Sequence, residues 1–229
     1  MSSPRELRLN VSMPLLSELE YAAFLSYVPR PATDAGKASK QWMYHLKNDH
    51  LFGHPPKSMS TLVAQRLAET LITLPFRDLL DGTALAVPIP KSSLMRPGSL
   101  WVPLLLCKAL KEAGLVAEVL DCLRRQHAVR KSATSAPSER ATAGIHYESM
   151  SVEKALVPPT ASLLLVDDVI TRGATMLGCA RRLAEAFPQA QISGFAAMRT
   201  VSKEADFVAL SAPCRGKVTL QDGNSYRHP

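Results

Sequence analysis

The residues of this sequence best placed to do chemistry are Asp167, Asp168, Thr171, Gly173 and Thr175. They fall within one run from Ser162 to Met176, SLLLVDDVITRGATM. Adjacent carboxylates accept hydrogen bonds from hydroxyl groups and offer hard oxygen ligands to cations. Thr171 and Thr175 add two hydroxyl donors and Arg172 a positive charge, while Gly173 lets the backbone approach an anion closely. Ala174 keeps the same stretch small. Acids for hydroxyls beside a cradle for phosphate describe a site for a ribose 5-phosphate.

The elements around these residues have to bring them to one place. Leu163 to Val166 is an unbroken apolar run, as expected of a strand buried on both faces of a parallel sheet. Leu177, Ala180, Leu183, Ala184 and Phe187 then recur at helical spacing, and Pro188 stops that pattern. Strand, loop and helix in this order put Asp167 and Asp168 at the carboxyl edge of a sheet, where open α/β folds bind ligands. The loop leads into a helix N-terminus, whose free N–H groups and dipole favour phosphate. The plainer alternative is a strand-to-helix turn whose acids only cap the helix.

A second strand-loop-helix unit precedes this one. Ala84 to Pro90 forms a short apolar strand entering a proline-bounded loop, Lys91-Ser92-Ser93-Leu94-Met95-Arg96-Pro97-Gly98. A helix follows from Ser99, with Gly114 as its stop. Leu115 to Leu120 and Gln191 to Met198 predict further strands, and Val218 to Leu220 a final short one before a polar tail. The segment Leu123 to Arg140 is basic, rich in small residues and poorly periodic. It reads as a lid over a diphosphate, with a mobile surface loop or a nucleic-acid patch as alternatives.

The first third of the chain reads as helical. Helical spacing over Leu15 to Val28 predicts a helix ended by Pro29 and Pro31. Thr33 or Asp34 caps a second through about Lys47, and Ser60 to Leu74 gives a third. The expected organisation is therefore a helical segment over 1–80 packed on an α/β core over 81–229, with a mostly parallel sheet flanked by helices. His45, His50 and His54 match no helical ligand spacing and read as surface or capping residues rather than a zinc site.

Composition sets broader bounds. The 229 residues are 46% hydrophobic and carry a formal net charge of +7, enough for one sizeable core and favourable to anionic ligands or nucleic acid. No apolar run is long enough to span a membrane. The opening residues Met1 to Leu7 show no apolar signal region, so a cytoplasmic location is expected. Cys107, Cys122, Cys179 and Cys214 form no Cys-x-x-Cys pair and are expected to be reduced thiols.

The stretch from Ser162 to Met176 resembles the phosphoribosyl diphosphate (PRPP) signature of type I phosphoribosyltransferases: a hydrophobic strand, two acids, and a loop with Thr-x-Gly-x-Thr. Val87-Pro88-Ile89-Pro90 is similar to the start of the diphosphate loop in the ComF-related subgroup. Trp42 to Asp49 resembles an element upstream of the core in the same subgroup, and Gly144-Ile145-His146-Tyr147 a short return strand after its flexible loop. The subgroup's N-terminal zinc ribbon is missing from this sequence, and Arg172 stands where a small residue or Thr is usual. The resemblance covers about Leu85 to Met198. It implies a phosphoribosyltransferase of nucleotide metabolism that binds PRPP with Mg²⁺ and transfers phosphoribosyl to a small-molecule acceptor. Asp167 and Asp168 would hold the ribose hydroxyls and reach the metal. Thr171, Arg172, Gly173, Ala174 and Thr175 would hold the 5-phosphate, and Lys91, Ser92, Arg130 and Lys131 the diphosphate. Some members of this superfamily are instead silent sensors or scaffolds for a protein partner, and the basic 124–140 segment leaves a nucleic-acid partner as a further alternative.

Overall fold

The computed structural model describes residues 16–129, 141–153 and 155–229. A seven-stranded sheet organises them. Its strands in chain order are β1 (Glu18–Tyr27), β4 (Leu85–Pro88), β5 (Glu118–Val119), β8 (Ser162–Ile170), β9 (Gln191–Thr200), β10 (Ser211–Gln221) and β11 (Asn224–His228). Their spatial order is β11-β10-β1-β9-β8-β4-β5. The five strands from β1 to β5 pair in parallel, whereas β10 and β11 add an antiparallel edge. Two small antiparallel pairs lie outside this sheet: β2 (Leu51–Phe52) with β3 (Lys57–Ser58), and β6 (Leu123–Arg125) with β7 (Met150–Val152).

Helices cover both faces. On one, α1 (Asp34–Lys47), α2 (Met59–Thr70) and α3 (Val102–Glu112) bury Leu46, Leu67, Leu106 and Leu110 against Leu164 and Val166. On the other, α4 (Ala143–Glu148) and α5 (Ala174–Ala186) bury Ala143, Leu177, Ala180 and Leu183 against Leu163 and Leu165. Alternate residues of a strand face opposite sides, so the apolar run of β8 feeds both cores. This is an α/β fold with a central, mostly parallel sheet, as the sequence predicts. Among the described residues no helix is long and apolar enough to cross a membrane. All four cysteines are free.

Several sequence expectations need correction. The helix expected over Leu15 to Val28 is the strand β1, which lies inside the sheet between β9 and β10. Covered on both faces, β1 buries nearly every residue, so it lacks the period-2 alternation that marks a half-buried strand. The return strand expected at Gly144 to Tyr147 is the helix α4, capped by Thr142, whose side chain accepts from the Ile145 N–H. The polar tail is β11, joined to β10 by a tight turn in which Asp222 and Gly223 both have positive φ, 48° and 76°. That is the backbone of a hairpin turn that Asp-Gly favours.

Candidate functional site

Asp167 and Asp168 occupy the carboxyl end of β8, an interior strand. The neighbouring β4 ends at Pro88, paired with Val166, and Ile89 donates its N–H to the Val166 carbonyl at 3.0 Å. Beyond that point β8 continues only against β9. The acids therefore lie where the β4 loop peels away.

The two acids differ in surroundings. Asp168 meets Lys47, the last residue of α1, at 3.7 Å, and its side chain is 18% exposed. Asp168 and Asp167 together outweigh the cost of burying the Lys47 ammonium, and its pKa rises. Asp167 keeps some exposed surface, yet atoms pack densely around its carboxylate. Burial first, and then the Asp168 charge, push its pKa well above the usual carboxylate range. Two adjacent carboxylates in a poorly hydrated place do not both ionise freely. Each also accepts a backbone N–H, Asp167 from Asp168 and Asp168 from Val169. On the α5 side burial pushes the Cys179 thiol up to about 12, with the Asp167 charge adding to it.

The loop after β8 turns on Gly173, which has φ +80° and serves as the N-cap of α5. A Cβ there would sit 2.5 Å from Val218 Cγ2 in β10, so both conformation and space demand glycine. Thr171 gives its carbonyl to Arg227 of β11, Nε at 2.6 Å. The same guanidinium donates to the Thr200 carbonyl at 2.5 Å and the Tyr21 hydroxyl at 2.9 Å. Ala174 begins α5 and is buried. Thr175 Oγ1 lies 3.2 Å from His146 Nε2. Burial, then the charges of Arg125 and Arg172, lower the His146 pKa to about 4.

Lys91 and Ser92 lie on the β4 loop beside β6. Arg125, 8% exposed, donates Nε to the Lys91 carbonyl at 2.6 Å, one terminal nitrogen to Ser149 Oγ at 2.6 Å and the other to the Pro90 carbonyl at 3.5 Å. Ser92 accepts from the Val129 N–H at 2.7 Å, and Trp101 Nε1 fastens the start of the loop by donating to the Ile89 carbonyl at 2.8 Å. Leu123 to Arg125, expected to belong to a loop, is thus a strand tied to the β4 loop. Arg130 and Lys131 lie outside the described residues, as does the rest of the expected lid through Arg140.

Lys47, Arg125, His146 and Arg227 escaped the sequence reading as site residues. Each reaches the site from a different element, and no local pattern joins them to the acids. Among the described residues no three His, Cys, Asp or Glu side chains group to hold a metal. Asp167 and Asp168 remain a pair of hard oxygen donors, suited to an ion that takes its other ligands from water and substrate. His45 and His50 meet through their Nδ1 atoms at 2.9 Å within a cluster containing Trp42, Tyr44 and Phe52. Two surface hollows, about 430 Å³ beside Leu156 and Phe187 and about 340 Å³ beside Glu20 and His228, lie away from the acid edge.

No protein-family model matches the chain, and no curated protein matches it at a significant level.

Proposed function

We propose that the protein binds 5-phosphoribosyl 1-diphosphate with Mg²⁺ and transfers the phosphoribosyl group to a small-molecule nitrogen acceptor, releasing diphosphate. The observation that carries this reading is the acid pair at the carboxyl end of an interior parallel strand, immediately before a glycine-capped helix N-terminus. In this reading Asp167 and Asp168 accept the ribose hydroxyls. Gly173, Ala174 and Thr175 hold the 5-phosphate with backbone N–H groups and a hydroxyl, and Thr171 and Arg172 border it. Lys91 and Ser92 face the diphosphate, with Arg130 and Lys131 as further cations. Mg²⁺, when bound, would neutralise diphosphate charge beside the two acids. Positioning and electrostatic stabilisation suffice for this displacement, and no protein nucleophile is needed.

Two observations favour a second reading. Lys47 already pairs with Asp168, and Asp167 resists ionisation, so the acid pair presents less negative charge than a strong metal site. This suits a module that binds the sugar phosphate without turnover. Calorimetric titration with PRPP and Mg²⁺, followed by a diphosphate-release assay over a panel of acceptor bases, separates the readings. Binding with release supports the transferase, binding alone the module, and no binding removes both.

A further inference from the structure

His146 sits on α4 directly behind the first turn of α5. Gly178 lets the two helices close: a Cβ there would lie 2.6 Å from His146 Cβ and 2.8 Å from the Ala143 carbonyl oxygen. Arg182 fixes the contact from the same helix, donating to the Tyr147 carbonyl at 2.9 Å with its guanidinium 3.9 Å from the Tyr147 ring centre. The imidazole is 2% exposed. One ring nitrogen, Nε2, meets the Thr175 hydroxyl at 3.2 Å. The other, Nδ1, is buried without a hydrogen-bond partner.

With its pKa held near 4, the ring is neutral at pH 7 and carries a single N–H. If that proton were on Nδ1, a buried donor would have nothing to bond, and the hydroxyl proton of Thr175 would be spent on Nε2. If it is on Nε2, the ring donates to Thr175 Oγ1 and the hydroxyl proton is free. Only a lone pair on Nδ1 then goes unmet. Buried orphan donors are rarer in proteins than under-used acceptors. The positive charges of Arg125 and Arg172, both of which act on this ring, favour its neutral form.

We propose that His146 is a positioning residue that donates Nε2–H to Thr175 and thereby turns the Thr175 hydroxyl proton toward an anion seated at the N-terminus of α5. The inference rests on the phosphate site proposed above and adds to it a group that sets hydroxyl direction. The anion it serves is a phosphate monoester or inorganic phosphate, bound by the α5 N–H groups and one aimed hydroxyl.

Two measurements on the full chain test this. Long-range ¹H–¹⁵N spectra of the histidine rings report which nitrogen carries the proton, and the His146 signals are those lost in His146→Gln. The expected result is a protonated Nε2 and a bare Nδ1 without ligand. Inorganic phosphate and ribose 5-phosphate are then titrated into the unmodified protein, His146→Gln, His146→Leu, Thr175→Val and the Leu/Val double variant. His146→Gln, whose amide can still donate to Oγ1, keeps most of the affinity. His146→Leu loses about tenfold or more, as for one bond to a charged group. That loss disappears in the Thr175→Val background, because the two residues act through one hydroxyl. A ring protonated at Nδ1, or an equal loss from His146→Leu with and without the Thr175 hydroxyl, overturns the role of His146 while leaving the phosphate site standing. Failure of the unmodified protein to bind either phosphate overturns the site itself and this role with it. Thermal melts check folding; if His146→Leu is unfolded, the spectrum and the His146→Gln titration decide.

Discussion

Charge is used differently on the two sides of the central sheet. On the antiparallel edge, Glu18 of β1 pairs with Lys217 of β10 at 2.6 Å, and Glu20 pairs with Arg215 at 2.5 Å. Arg215 also reaches Asp78 at 2.7 Å. The two pairs between β1 and β10 are diagonal cross-strand pairs of partly to well exposed side chains, each charge answered by an opposite one. On the parallel side, Asp167 and Asp168 are adjacent carboxyls, and only Asp168 is paired, with Lys47. Arg125 is buried against two carbonyls and a hydroxyl, all uncharged, and its pKa is lowered by burial. Exposed pairs of the first kind add little to stability. Burying charges of the second kind costs stability that only pairing and good hydrogen bonds offset. The difference agrees with the ligand site proposed at the parallel edge.

The largest expected effect tests that assignment directly. Replacing both Asp167 and Asp168 by Asn keeps shape but removes the charge of Asp168 and the charge that Asp167 can take on once a cation is bound beside it. PRPP affinity with Mg²⁺ should fall by about one to two decades per lost contact, since a hydrogen bond to a charged group contributes roughly 1.5–3 kcal/mol. Calorimetry measures this, and circular dichroism should show the fold intact. An unchanged dissociation constant would return the acids to the role of helix caps, which Asn fills about as well.

Gly173→Ala comes next. The new Cβ meets Val218 at 2.5 Å in a backbone with φ +80°, and strain of this kind costs about 1–3 kcal/mol. Urea denaturation should show a lower midpoint. An equal midpoint would mean that the loop does not depend on this conformation.

Asp167→Asn alone should act in the opposite sense and stabilise the fold. The Asp167 pKa is raised in the folded state, so above the ordinary carboxylate range the native chain holds a proton that the unfolded chain has released. Stability then falls as pH climbs from that range toward the folded value. Asn removes this slope, so the gain in melting temperature should grow with pH over the same window. Asp168→Asn should not show this gain, because it deprives Lys47 of its partner. Melts from pH 4 upward compare the two, and matching profiles would erase the distinction drawn between the acids.

The smallest effect belongs to the antiparallel edge. Lys217→Ala should leave both PRPP affinity and melting temperature nearly unchanged, because its ammonium pairs with Glu18 at the surface, where water and salt screen it. A large loss of ligand affinity there would break the contrast between the two edges.

Local sequence determined the elements whose signals are contained within a few residues. The apolar run of β8, the Thr33 cap of α1, the α5 stripe and the acid-glycine order all follow from side-chain periodicity and capping chemistry, which act over a turn or two. The Asp222-Gly223 turn was equally local, and its hairpin could have been read from the same rules. Tertiary structure alone decided the rest. β1 is a strand because β9 and β10 flank it and both its faces are covered, a circumstance that erases its pattern. Lys47 reaches Asp168, Arg227 reaches Thr171 and His146 reaches Thr175 only because the sheet order and helix packing bring distant segments together. The sequence by itself placed two acids before a phosphate-type loop. The fold decided which of them is paired, which resists ionisation, and which buried ring meets the loop's hydroxyl, because burial and partner charges exist only once the layers have closed.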